Sequence, residues 1–420
     1  MDRFVIHGGR RLEGSVRVAS AKNAVLPILA ASLLAEGRTV VRGVPRLDDV
    51  RTMVRLLRSL GAAVSVSGQT VTVDASGRLA DEAPYDIVRK MRASYYVLGP
   101  LLARLGNVRV SLPGGCAIGA RPVDLHLKGI AALGAGVELE HGYIHARARR
   151  LSGGTVTLEG PSGPSVGATA NTMMAAVLAR GETVIEGAAS EPEVADLARF
   201  LNCLGARVTG AGTPVIRITG VRRLTGTTYR PVPDRIEAGT FAAAAVITRG
   251  SVDIRNCRPD HLGAAIDVLR ATGAEVAAGR RSLAVRATRR PEAVDISTAP
   301  YPGFPTDLQA QFTALLCLGR GTSLVTENIF ESRFMHVMEL RRMGADIDVA
   351  GNAAVVRGVA RLSSAQVMAS DLRASAALVL AALAARGRTE VLRIYHLDRG
   401  YERIEDKLGR LGARIERVAG

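Results

Sequence analysis

Hydrophobic and polar positions along the chain follow two alternating periods. Short stretches such as VSVS at 64–67, TVTVD at 70–74 and VRVS at 108–111 alternate strictly, which predicts strands with one buried face. Stretches such as 48–60 place apolar residues three or four apart, which predicts helices with one buried stripe. A further class, 22–34, 85–105, 168–179, 236–248, 307–318 and 372–385, is rich in alanine and small on most faces. Such helices suit a tightly packed interior better than a surface. Helices inside and sheets outside are the expected layering.

One signature recurs six times where an outer helix should stop: LRSLGAAV, IAALGAGV, FLNCLGARV, VLRATGAEV, ELRRMGADI and KLGRLGARI. Its glycine stands at 61, 134, 205, 273, 344 and 412, in steps of 73, 71, 68, 71 and 68 residues. A glycine just past the last apolar turn adopts positive φ and closes the helix. Six repeats of about 70 residues group as three plus three, and the Pro-containing stretch Tyr229 to Pro233 is the natural connector. The expected domains are therefore 21–230, and 1–20 together with 231–420. The segments FVIHG and GSVRVAS near the start read as a strand pair that completes the second domain. A cleft between two similar globules is the default place for a ligand.

Composition narrows the function. The 420 residues carry a net charge of +16, yet only four of the basic residues are Lys, against 51 Arg. Guanidinium suits bidentate binding of carboxylate and phosphate, so small anions fit. A nucleic-acid reader would concentrate its charge and add aromatic platforms, whereas here the arginines are dispersed and aromatics make up 4%. The longest nearly apolar runs, 24–35 and 374–385, fall short of the ~18 residues of a membrane span. The first 14 residues lack the apolar stretch of a signal peptide. Four widely spaced cysteines, with no CxxC and no HExxH, give neither a disulfide framework nor a metal motif. The expectation is a cytoplasmic protein with no metal and no cofactor.

Four segments carry candidate chemistry. Lys22, in Ser20-Ala21-Lys22-Asn23, opens an inner helix, where free N–H groups attract anions; the plain alternative is a surface lysine. Cys116 lies among three glycines with Arg121 five residues on. It is either a small apolar residue or a tuned thiol acting as acid or nucleophile. Cys203, Cys257 and Cys317 sit in repeat strands or helices and read as buried. Asp307 follows the Pro-stiffened run 300–305 and either caps the next helix or serves as a general base. Arg92, Arg333, Arg373 and Arg399 occupy equivalent regions of different repeats. They read singly as ion pairs, or together as the grip on a small polyanion.

The motifs AKNAVLPIL, YDIVRKMRAS, SLPGGCAIGARPVDLHLKG, PSVGAT, PDRIEAGTF, FPTDLQAQF, ESRFMH and HLDRGYERIEDKL resemble those of the UDP-N-acetylglucosamine enolpyruvyl transferases over essentially the whole chain. The resemblance implies an α/β fold: a two-domain inside-out α/β barrel of six βαβαββ units, with the active site in the interdomain cleft. It implies transfer of the enolpyruvyl group of phosphoenolpyruvate to the 3-hydroxyl of UDP-N-acetylglucosamine, without cofactor and without an obligate protein partner. Lys22, Arg121 and Arg399 match the clamp on phosphoenolpyruvate, and Arg92, Arg333 and Arg373 the supporting cations. Cys116 matches the proton donor to the methylene carbon, Asp307 the residue beside the acceptor hydroxyl, and Asp371 one near the reacting carbon. Asn23, Arg121, Pro122, Val123, Asp124, Leu125, Ser165, Val166, Gly167 and Ile329 match positions that hold the nucleotide sugar. Two departures stand out: just before Ser165 the chain reads EGPSGP over Glu159 to Pro164, whereas some relatives have a nucleotide-binding charged residue near there, and Tyr95–Tyr96 replaces a more aliphatic or Trp-containing pair.

Other functions remain open on sequence grounds. An enolpyruvyl transferase acting on shikimate 3-phosphate would lack the Gly-Gly-Cys loop. A paralogue acting on another uridine nucleotide such as UMP would keep every catalytic position. A nucleotide-sugar sensor would need neither Cys116 nor Asp307, and a polyanion-binding protein fits the dispersed charge least.

Overall fold

The computed structural model describes residues 2–112 and 123–420. They form two compact units, one of residues 20–112 and 123–232, the other of residues 2–19 and Pro233–Gly420. Each has its own apolar core.

In the unit of residues 20–232 the inner helices are Lys22–Ala31, Leu98–Leu105 and Val166–Ala176. In the other they are Arg235–Ile247, Thr306–Leu316 and Leu372–Ala384. Alanine lets these helices be buried on nearly every face: every residue of Arg235–Ile247 is buried. Outer helices such as Asp48–Ser59 and Pro192–Cys203 bury one stripe. All six signature glycines have φ between 84° and 103°, a region closed to most side chains. The repeat is thus written in backbone sterics.

Each unit has three four-stranded sheets with one pairing scheme, a parallel strand at one edge followed by three antiparallel ones. Thr228–Tyr229 runs parallel to Arg38–Arg42, which pairs with Thr70–Asp74, and that with Ala63–Ser67. Two further slots are filled from far away in sequence. Arg3–His7 lies between Arg388–Leu392 and Arg414–Val418, with Arg3 opposite Val418. Glu13–Arg17 runs parallel to Ser251–Arg255. The first two strands therefore belong to different sheets of one unit rather than pairing with each other. Each meets a vacant position that its own repeat cannot fill.

Two other expectations need correction. The stretch 85–105 is not one helix but Tyr85–Val88, a 3-10 turn Arg92–Val97 and Leu98–Leu105. Pro100 lies in the first turn of the last piece, where its missing N–H costs nothing, so a new helix begins there. Cys257 and Cys317 are buried, but Cys203, at the last position of its outer helix, is exposed.

Candidate functional site

In the unit of residues 20–232 the candidate residues sit where inner or outer helices begin. Lys22 opens the first inner helix, and its Nζ lies 3.2 Å from Oδ2 of Asp49. Both side chains are nearly buried, at 12% and 6% exposure, which rules out the plain surface lysine. Asn23 follows it in the same turn. Arg92 starts the 3-10 turn Arg92–Val97 and is half-buried. Val123 precedes the outer helix Asp124–Ala132, so Asp124 and Leu125 form its first turn. Ser165 caps Val166–Ala176, its Oγ accepting from Ala168 N at 3.3 Å; Val166 and Gly167 follow. Cys116, Arg121 and Pro122 lie outside the described residues.

A buried polar node ties three of these segments together. Asn171 is fully buried on the third inner helix. Its Oδ1 accepts from Gly99 N at 3.0 Å, and its Nδ2 donates to Tyr95 O and to His126 Nδ1, both at 2.9 Å. The amide thus links the turn that carries Arg92, the helix that starts at Asp124, and the helix capped by Ser165. Gly167 completes the fit, because a Cβ there would lie 2.8 Å from His126 Nε2. Burial, with the Arg92 charge adding to it, pushes the His126 imidazole down to about 3, so the ring is neutral and can accept the Asn171 bond. Sequence reasoning missed both residues. Their signal is a polar side chain inside an alanine-rich helix and a histidine one turn into an outer one.

In the other unit the site is built on charge. Asp307 is in the first turn of Thr306–Leu316, whose cap position is Pro305, so Asp307 is not the cap. Its Oδ1 lies 2.7 Å from Arg333 Nη2 and its Oδ2 2.9 Å from Arg373 Nη2. Both guanidiniums are about 95% buried. Burial would raise the Asp307 pKa, but Arg373 and Arg333 outweigh it and hold the carboxyl well below the ordinary range. Asp371 caps Leu372–Ala384, its Oδ1 accepting from Arg373 N at 2.8 Å and Ala374 N at 3.1 Å. One residue thus fixes the start of the helix that delivers Arg373. Arg399 ends the 3-10 turn Ile394–Arg399 and is half-buried. Ile329 follows the strand Thr322–Thr326, its N–H donating to Glu327 Oε1 at 2.9 Å.

A second amide matches Asn171. Gln311, one turn after Asp307, donates from Nε2 to Tyr401 Oη, Thr240 Oγ1 and Asp307 O, at 3.1, 3.2 and 3.0 Å. The Arg373 guanidinium sits 5.5 Å from the Tyr401 ring centroid, a cation–π distance. Arg333, Arg373 and Asp307 therefore come together directly, and Asp371 supports them. Lys22, Arg92 and the segments at 123–125 and 165–167 belong to the other unit. Among the described residues, no group of three or more His, Cys, Asp or Glu side chains is placed to hold a metal ion, and no helix is long and apolar enough to cross a membrane.

The cluster in the unit of Asp307 can hold an ionised carboxylate against two fixed cations, which suits proton transfer beside an anionic substrate. Comparison with known proteins is consistent with that chemistry. The profile of the family described as EPSP synthase (3-phosphoshikimate 1-carboxyvinyltransferase) matches residues 6–408. A UDP-N-acetylglucosamine 1-carboxyvinyltransferase of Geobacter metallireducens is 54% identical over 418 residues, and one of Gluconacetobacter diazotrophicus is 57% identical over 421; both alignments cover 100% of each chain. Among solved structures, the enolpyruvyl transferase NikO from Streptomyces tendae is similar with a TM-score of 0.90 and 27% identity, over 100% of this chain and 99% of that one. An EPSP synthase from Acinetobacter baumannii shares the fold at a TM-score of 0.75 and 18% identity, over the full length of both chains.

Proposed function

The chain belongs to the family of UDP-N-acetylglucosamine 1-carboxyvinyltransferases, and on that premise we propose that it transfers the enolpyruvyl group of phosphoenolpyruvate to the 3-hydroxyl of UDP-N-acetylglucosamine. The observation that carries the reading is Asp307, kept ionised by two buried guanidiniums. In the addition step, the acceptor oxygen bonds to C2 of phosphoenolpyruvate while Asp307 takes the hydroxyl proton and Cys116 donates a proton to C3. In the elimination step the proton movements reverse: C3 gives a proton back to the Cys116 thiolate, the C2–O bond to phosphate breaks, and phosphate departs with that electron pair and takes the proton held by Asp307. Lys22, Arg121 and Arg399 grip the phosphate and carboxylate of phosphoenolpyruvate, with Arg92, Arg333 and Arg373 supporting them, and Asp371 stands near the reacting carbon. Asn23, the run 121–125, Ser165, Val166, Gly167 and Ile329 hold the nucleotide sugar. A carboxylate bonded to two guanidiniums is a weak base, so the reading requires an anionic substrate to draw part of that charge away from Asp307. The protein acts in the cytoplasm, as the first committed step of peptidoglycan precursor synthesis.

The test is phosphate release from phosphoenolpyruvate with UDP-N-acetylglucosamine, UMP or shikimate 3-phosphate as acceptor. Turnover with the nucleotide sugar is expected. Turnover with UMP alone would refute the assignment, and silence with all three would point to a sensor. Cys116→Ala should lower phosphate release by at least about 100-fold, the scale of a lost general acid; release near wild type would remove that role.

A further inference from the structure

Glu327 is a buried carboxylate that the reaction described above does not use. It is 2% exposed, and both of its oxygens are engaged. Oε1 accepts from Thr298 Oγ1 at 2.9 Å, Ile329 N at 2.9 Å and Phe330 N at 3.1 Å. Oε2 accepts from Thr306 Oγ1 at 2.8 Å. Thr306 Oγ1 in turn accepts from Arg333 Nη1 at 3.0 Å, and Arg333 Nη2 reaches Asp307. We propose that Glu327 is a positioning residue that orients Arg333 through the Thr306 hydroxyl and fixes the backbone at Ile329 and Phe330. The inference rests on reading Asp307 as the base and Ile329 as a contact of the nucleotide sugar.

Hydrogen-bond direction carries the argument. Arg333 can only donate, so the lone pairs of Thr306 Oγ1 face it and the single hydroxyl proton is directed at Glu327 Oε2. Each donor in the chain from Arg333 through Thr306 to Glu327 thus has one direction. A glutamine at 327 has the right shape but presents N–H where Thr306 now donates.

The experiment separates orientation from packing with two substitutions at Thr306. Thr306→Val keeps the shape and loses the hydroxyl; Thr306→Ser keeps the hydroxyl and loses a methyl. The expected result is a kcat for Thr306→Ser at least about tenfold above that for Thr306→Val, as a hydrogen bond to a charged group is lost only in the second. Glu327→Gln should lower kcat and also raise KM for UDP-N-acetylglucosamine, whereas Thr306→Val should leave that KM close to wild type. A kcat for Thr306→Val equal to or above that for Thr306→Ser would overturn the inference alone, provided Asp307→Asn is inactive. An active Asp307→Asn would overturn the base reading and this inference with it. A folded Glu327→Gln enzyme with wild-type kcat and KM would likewise overturn it.

Discussion

The two units share one pairing scheme and one helical layering, yet their polar nodes at Asn171 and at Asp307 are built from different chemistry. In the unit of residues 20–232 a neutral amide, Asn171, and a neutral imidazole, His126, join three segments. In the other, Gln311 has a comparable position beside Asp307, but the dominant contacts are those of Asp307 with Arg333 and Arg373 and of Glu327 with Thr306. Neutral hydrogen bonds fix geometry without imposing a field. Buried ion pairs fix geometry and also set proton affinity. The Asn171 node therefore fixes geometry alone, whereas the contacts of Asp307 also set its proton affinity.

The largest test of that contrast is Asp307→Asn. The amide keeps the size and loses the charge, so kcat should fall by about 100- to 10,000-fold, the range for a general base, while KM for the nucleotide sugar changes little. Asn171→Ala should act the other way. It strands Gly99 N, Tyr95 O and His126 Nδ1, at about 1–3 kcal/mol for each unsatisfied buried group before relaxation. A lowered Tm and a raised KM for the nucleotide sugar, with a smaller loss in kcat, are expected in steady-state kinetics and thermal melts. Equal losses in kcat from the two substitutions would break the comparison.

The smallest effect is on pH dependence. Burial holds His126 at about 3 and His336 at about 4, below the ordinary 6.5. The unfolded chain therefore takes up protons that the folded one refuses, so stability is complete above pH 6.5 and is lost as pH falls toward the folded values. At pH 5.5 each histidine should cost about 1 kcal/mol relative to pH 7.5. Glu237 and Asp196, whose pKa values burial raises, run in the opposite direction. Comparing the melts of His126→Gln and wild type at the two pH values isolates one histidine, and an unchanged pH dependence would show that it is not held neutral.

Local rules made much of this legible in sequence. The six stop glycines follow from φ alone, and the inner helices from alanine content. The break at Pro100 also obeys a local rule, but a window spanning 85–105 hides it. The partners of Arg3–His7 and Glu13–Arg17 were not legible, because alternation specifies a strand and its buried face, not its neighbour. At the site, Lys22, Arg333 and Arg373 were legible as residues, whereas their engagement was not. Nothing in ESRF or DLRAS says that both arginines turn inward to one carboxylate. Asn171, His126 and Glu327 were missed because their importance is a count of satisfied hydrogen bonds, and that exists only in three dimensions.

The strand exchange that sets Arg3 opposite Val418 also has a consequence in time. During synthesis, residues 20–232 can collapse on their own core as soon as they emerge, since every strand of their three four-stranded sheets lies within that span. The two strands that precede that span have no such option. Arg3–His7 and Glu13–Arg17 must wait, unpaired, until the sequence after Pro233 supplies their neighbours. Pairing across such separations is slow and leaves strand edges exposed to other chains. At these two strands the order of assembly is therefore the reverse of the order of translation: they are made before the unit of residues 20–232 and are locked after it.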